Sequence, residues 1–384
     1  MVAPFLDFYN DQNIIPVSQK LDNLAPLIRR RGFLYQKLGI NLRALRGCDI
    51  LEFGPGGGYN AIVTAQYKPR KYHFVDGSKL SIERLHAILK KHIEVDESHI
   101  YNTDLHEFRS TEKFDLVLCE GLLNGQHKPD DTLRHVANFV APGGMIVITT
   151  SHLVAMLPEL LRRLLRIFVY RSCLTTEERL GKLCDIFLPH LETFGTETRP
   201  IKDWVYDSII HNWQDGNYSF NLSDAIEVLN EDFEFVHAFP DFSTDGRWYK
   251  GVGDQKDSNQ LATLQFSNSL LSFLDFRVPF EVTYRATLET SEINLLCSKL
   301  AAIHDFMLVN NSVAEFSDVI NILIEIRDRL PTNLQITCDS INDYIAGVGA
   351  LIAEGRRVNF GSFSSWWGRA QMYSSFVRRD RLRE

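Results

Sequence analysis

Through the first 150 residues, short apolar runs alternate with segments of helical spacing. "CDILEF" (48–53), "KYHFVD" (71–76), "HIYNTD" (99–104), "FDLVLCE" (114–120) and "MIVITT" (145–150) read as five strands. Between them, Ile82, Leu85, Ile88 and Leu89 fall on one helical face, and "DTLRHVANFV" (131–140) predicts a further helix ended by "APGG". Buried-type strands alternating with helices imply a parallel sheet covered on both faces. Right-handed crossovers then bring the strand carboxyl ends to one edge, where such folds bind ligands.

The alternation stops after Thr150. Residues 151–200 read as mainly helical, and "NLSDAIEVLNE" (221–231) as one more helix. "FEFVHAFP" (233–240) and "GRWYKG" (246–251) are expected to close the sheet as an antiparallel pair, before a polar linker, "GDQKDSNQ" (253–260). Helices dominate beyond it. Ser312 and Glu315 form an S-x-x-E capping box ahead of Phe316, Val319, Ile320 and Leu323, and Pro331 closes that helix. Leu334, Cys338, Ile341, Ile345, Val348 and Ile352 make a clean apolar stripe. "VPFEVTYR" (278–285) is a stray strand candidate. Near the end, Phe363, Trp366, Trp367, Ala370, Tyr373 and Phe376 predict a helix docked by its aromatic face. The expected organisation is a helical lead-in (1–45), an α/β core (46–252) with a helical lid insertion (151–220), and a mostly helical C-terminal domain (256–384).

Composition narrows the class without changing this picture. The 384 residues are 45% hydrophobic and 23% charged, as in ordinary globular chains. A net charge of −8 argues against a protein that coats nucleic acid. The six cysteines are scattered with no C-x-x-C pair, so no metal site or disulfide framework is expected, and a cytoplasmic location is. The N-terminus lacks a basic start followed by an apolar core. The most apolar stretch, 153–170, carries Glu159, Arg162, Arg163 and Arg166, so no transmembrane segment is expected.

The chemistry concentrates at "LEFGPGGG" (51–58), directly after the first strand. A strand, a glycine turn and a helix leave free N–H groups where a ligand can reach them. A phosphate loop would need a lysine after the glycines, and none is there. A dinucleotide fingerprint would place its third glycine at Tyr59, where a side chain obstructs close packing.

What remains, Glu52, Gly54, Gly56 and Gly58 in E-x-G-x-G-x-G, resembles motif I of the class I S-adenosylmethionine (SAM)-dependent methyltransferases. "FVDGS" (74–78), "NTDL" (102–105), "FDLVLCEGLLN" (114–124) and "VAPGGMIVITT" (140–150) continue the resemblance in order. It implies a Rossmann-like, doubly wound, seven-stranded, mostly parallel α/β sheet, with the helical insertion and C-terminal domain added to it. It implies SAM as cofactor and S-adenosylhomocysteine (SAH) as product. Asp76, followed by Gly77, is expected to accept from both ribose hydroxyls, since a carboxylate offers two oxygens. Asp104 is expected to accept the adenine amino group, with the Leu105 backbone reading the ring. Glu52 is expected near the ammonium, directly or through water.

Methyl transfer is a displacement that needs a base only if the acceptor must lose a proton. Glu120, at the end of the fourth strand, and His127, just beyond it, are the catalytic candidates. Glu120 is also a candidate for the amino-acid part of the cofactor. The polar–aromatic loops 7–13 and 211–220 offer Tyr9, His211, Trp213 and Asp215 as substrate-binding residues. The fourth-strand end reads "CEGLLN", not the N/D-P-P-Y/F of amino-methyltransferases that modify adenine or glutamine. A small-molecule acceptor (sugar, lipid precursor or secondary metabolite), methylated on O or N, is therefore the expectation. A protein methyltransferase docking through the C-terminal helices, and a non-catalytic SAM-binding scaffold, are the rival classes. A homodimer through the C-terminal helices is left open.

Overall fold

A computed structural model of the chain describes residues 24–92, 99–195, 200–211, 220–243, 245, 247–252, 255–281, 288–354 and 358–380. The N-terminal part runs α1 (Ala25–Lys37), β1 (Asp49–Phe53), α2 (Ala61–Ala65), β2 (Lys71–Asp76), α3 (Lys79–His92), β3 (Ile100–Asn102), β4 (Phe114–Cys119), α4 (Pro129–Ala137) and β5 (Val140–Thr150). Then come α5 (Leu153–Ser172), α6 (Thr176–Glu192), α7 (Ile201–Val205), α8 (Leu222–Leu229), β6 (Phe233–Phe239) and α9 (Gln255–Asn268). The chain ends with α10 (Leu288–Asn310), α11 (Phe316–Arg329), α12 (Gln335–Glu354) and β7 (Met372–Arg378).

The seven strands form one sheet in the order β3-β2-β1-β4-β5-β7-β6. β1 to β5 pair in parallel, and β7 runs antiparallel to both β5 and β6. This is the parallel sheet that the alternation predicts, in the Rossmann-like, seven-stranded, mostly parallel form that the resemblance implies. Ile50, Leu51 and Phe53 are all buried, as a strand covered on both faces requires. Leu34, Tyr35 and Leu38 of the α1 region share a core with Ile50, Phe74, Leu118 and Val147. Phe53 pairs with Val75 on one side and Cys119 on the other. The next residues along each strand, Gly54, Asp76 and Glu120, therefore lie level at one sheet edge.

The last two strands differ from the expectation. β6 forms, but residues 249–251 make a turn of 3-10 helix, not its partner. The partner is β7, with Phe235 opposite Phe376 and Phe239 opposite Tyr373. β7 lies inside the segment read as an aromatic-faced helix. Being interior to the sheet, β7 buries Ser374 and Ser375 completely beside Phe376. Ser375 is satisfied there by donating to the Leu38 carbonyl at 2.8 Å. Residues 278–281 form no strand, and 282–285 lie outside the described residues.

The boundaries differ too. One unit comprises 1–151, 219–266 and 371–384, and the other 152–218 and 267–370. The insertion and the C-terminal helices are thus one helical unit that the chain enters twice, where the sequence reading keeps 151–220 and 256–384 apart. The reason is shared apolar surface. Leu157, Leu161 and Leu164 of α5 pack in the same core as Ile293, Leu300, Val319 and Ile341 of α10 to α12. Ser312 donates to the Glu315 carboxylate at 2.6 Å, and α11 begins after Glu315, so the expected capping box does not form. A complete one, Thr175 with Glu178, caps α6.

Candidate active site

Gly54, Gly56 and Gly58 have φ of +64°, +54° and +82°, a region other residues rarely adopt. Space is short as well: a Cβ on Gly58 would come within 2.6 Å of Leu85, and one on Gly54 within 2.8 Å of Leu122. The turn is tied to its neighbours. Gly54 N donates to the Val75 carbonyl at 2.8 Å, and Gly56 N donates to Asp76 Oδ2 at 3.1 Å.

Asp76 joins three loops. Its Oδ1 accepts from Ser78 N at 2.8 Å, and its carbonyl accepts from Asn102 Nδ2 at 2.9 Å and Thr103 N at 3.2 Å. Burial pushes its carboxyl up to about 6, although the two N–H groups oppose this. A buried carboxylate with one N–H on each oxygen keeps acceptor capacity for two further hydroxyl donors. Gly77 beside it is half-buried. Asp104 is half-buried and accepts from His106 N at 2.7 Å, while Leu105 is buried. The strand ends therefore bring together the glycine turn, Asp76, Asp104 and Leu105.

Beneath the turn lies a chain of ionisable groups. Tyr72 Oη donates to Glu52 Oε2, and burial pushes Glu52 up to about 7 against the pull of Tyr72 and Arg31. Arg31 of α1 donates from both terminal nitrogens to Glu120, at 2.7 and 2.6 Å. It also donates to Tyr35 Oη at 3.1 Å, and Tyr35 pairs with Thr64 Oγ1 at 2.6 Å. Burial alone would lower the Arg31 pKa, but Glu120, together with Tyr35 and Glu52, more than offsets this and holds the guanidinium charged. Sequence reasoning missed Arg31. The signal was the run Arg29–Arg30–Arg31, but nothing local says which of the three turns inward.

Glu120 thus stands at the sheet edge, with both oxygens accepting from Arg31. His127 is exposed on the turn before α4. His211 belongs to the helical unit, where it is fully buried and its carbonyl accepts from Arg163. Tyr9, Trp213 and Asp215 lie outside the described residues. Among the described residues, no group of three or more His, Cys, Asp or Glu could hold a metal ion, and no helix is long and apolar enough to cross a membrane.

The residues present fit SAM. The turn has no side chains at Gly54, Gly56 and Gly58 that would fill its cradle, and Asp76 offers a buried diol acceptor. With the strand order and the antiparallel β7, these features define a class I SAM-dependent methyltransferase. The chain belongs to the methyltransferase-domain family, whose profile matches residues 16–236. It is 32% identical over 108 residues to a ubiquinone biosynthesis O-methyltransferase of Neisseria meningitidis, covering 28% of this chain and 45% of that protein. It is 32% identical over 110 residues to the protein of the same name in Aeromonas salmonicida, covering 28% and 44%. The chain thus spans less than half the length of these curated relatives. Among solved structures, it resembles the N-methyltransferase NodS of Bradyrhizobium japonicum, solved with SAH (21% identity, 34% of this chain and 65% of that one, TM-score 0.28). It also resembles PKMT2 of Rickettsia typhi (18% identity, 62% and 49%, TM-score 0.39).

Proposed function

We propose that this protein transfers the methyl group of SAM to an oxygen or nitrogen atom of a small-molecule acceptor. The observation that carries the cofactor side is Asp76, buried at the sheet edge with one backbone N–H on each oxygen and tied to the glycine turn. The curated relatives are named O-methyltransferases, which favours a hydroxyl acceptor.

The roles follow from position. Gly54, Gly56 and Gly58 let the backbone lie against the ribose and methionine portion. Asp76 accepts from the ribose hydroxyls, while Asp104 and Leu105 read the adenine. Glu52 and Glu120 face the ammonium, Glu120 held in place by Arg31. When bound, SAM supplies an electrophilic methyl on a sulfonium. This chain's residues then orient the acceptor and take its proton. With Glu120 engaged by Arg31, His127 is the remaining candidate base, and its exposed turn places it for exchange with solvent.

Titration with SAM and SAH tests the first step, and failure to bind either sinks the proposal. Labelled SAM offered with hydroxyl and amine acceptors tests the second, with turnover on a hydroxyl compound expected. Replacing His127 with Ala should lower kcat by about 10²–10⁴-fold and leave SAH affinity alone. An unchanged kcat withdraws His127 as base.

A further inference from the structure

The helical unit holds a cavity of about 720 Å³ that the methyl-transfer reading does not use. The end of α5, the middle of α6, the start of α11 and the end of α12 enclose it. Its walls are apolar, chiefly Phe168, Ile186, Phe316, Ile320 and Leu351. A volume between about 300 and 1,000 Å³ is ordinary for a small-molecule site.

Two cations also line the cavity, Arg171 and Lys182. Arg171 donates to the Asn311 carbonyl at 3.4 Å, and Lys182 to Ser172 Oγ at 3.3 Å. Neither forms an ion pair among the described residues. Glu178, one turn before Lys182, is committed to capping α6: it accepts from the N–H groups of Leu174 and Thr175. Asp185 is the one acid in the lining, so the lining carries a single net positive charge.

We propose that this cavity binds a single-chain amphiphile with a monoanionic head, such as a medium-chain carboxylate. The tail lies against Phe168, Ile186, Phe316 and Ile320, and the head meets Arg171 and Lys182. Desolvating the tail drives binding, and the cations select an acid over an alcohol. The occupant is a free molecule and not a membrane surface. Of the larger apolar residues in the lining, only Ile352 is strongly exposed, which is too little for a surface to engage.

The experiment is calorimetry on the full chain with decanoate below its aggregation concentration, decanol, butyrate and anionic phospholipid vesicles. Saturable decanoate binding at one site is expected, with butyrate silent. Replacing both cations, Arg171→Gln with Lys182→Gln, should weaken decanoate about tenfold and leave decanol unchanged. Ile320→Trp should fill the cavity and abolish both. SAH titration of each protein reports on the cofactor site separately, so failure here is distinct from failure of the methyl-transfer reading. No saturable decanoate binding below about 1 mM overturns the proposal. So does equal affinity in the double glutamine variant, or binding to vesicles alone.

Discussion

Arg31 in the sheet unit and Arg162 in the helical unit are both buried, at 5% and 0% exposure. Arg31 meets a carboxylate through two short hydrogen bonds. Arg162 meets none. It donates to the carbonyls of Pro158, Phe363 and Trp366 and to His190 Nδ1, and stands 3.5 Å from the centroid of the Trp367 ring. Burial accordingly pushes Arg162 down, with Glu159 only partly opposing it. A charge caged by carbonyls and rings does one thing: it fastens residues 363–367 to α5. A charge paired with a carboxylate at the proposed cofactor edge does another. Its partner can be shared with a cationic ligand group, so its orientation matters to binding as well as to folding.

The sharpest way to break this comparison is to remove one partner of the pair. Arg31→Met leaves the largely buried Glu120 charge uncompensated, which should cost about 3 kcal/mol of stability in urea unfolding. Adding Glu120→Gln should recover more than half of that, because the orphaned charge goes with it. Losses that simply add would mean that Arg31 and Glu120 act independently. No single second-site change should rescue Arg162→Met, since apart from His190 its acceptors are backbone carbonyls.

Asp76 gives the next largest effect. Asp76→Ala should weaken SAH binding by about 1.5–3 kcal/mol, read by calorimetry. Unchanged affinity removes the assignment. The same carboxyl sharpens the comparison through pH. Only the ionised form accepts from both hydroxyls, and burial holds the group near 6. SAH affinity should rise as pH climbs through about 6 and approach a tenfold fall per unit well below it. Without ligand the sign reverses: the folded value lies above the unfolded one, so this group's contribution to stability is lost as pH rises through about 6. Asp76→Asn should flatten both profiles.

How far the two regions could be read from sequence follows the same divide. The glycine turn was legible because its demands are local: positive φ at Gly54, Gly56 and Gly58, and an acid ending the next strand. β7 was not. Its register partners, such as Val147 opposite Ser375 and Phe235 opposite Phe376, all lie more than a hundred residues away. The aromatic spacing of 363–376 also imitates a helix. Gly368 shows why no helix forms: its ideal Cβ would stand 1.8 Å from the Ala155 carbonyl oxygen, so the chain there is pressed flat against α5. Tyr373 and Phe376 belong to the sheet, whereas Phe363 and Trp366 are buried in the helical core. Arg31 was illegible for a related reason, its partner being 89 residues away. The unit boundaries failed similarly, because a core assembled from two distant segments leaves no mark at either one.

Glu159, three residues before Arg162 on α5, yields the smallest effect and tests the carbonyl-caged region directly. Among the described residues its buried Oε2 accepts no hydrogen bond, and burial pushes the carboxyl up to about 8 despite Arg162. A raised folded value means that stability held at lower pH is lost as pH rises through about 8. The wild-type chain should therefore lose about 1 kcal/mol between about pH 7 and 9 from this group. Glu159→Gln, which cannot ionise, should remove that slope in thermal melts followed by circular dichroism. Were the Arg162 charge an effective partner for Glu159, the variant would instead be less stable than wild type at pH 7. The contrast between a paired and a caged arginine would then fail, because both units would hold their buried guanidinium with a carboxylate.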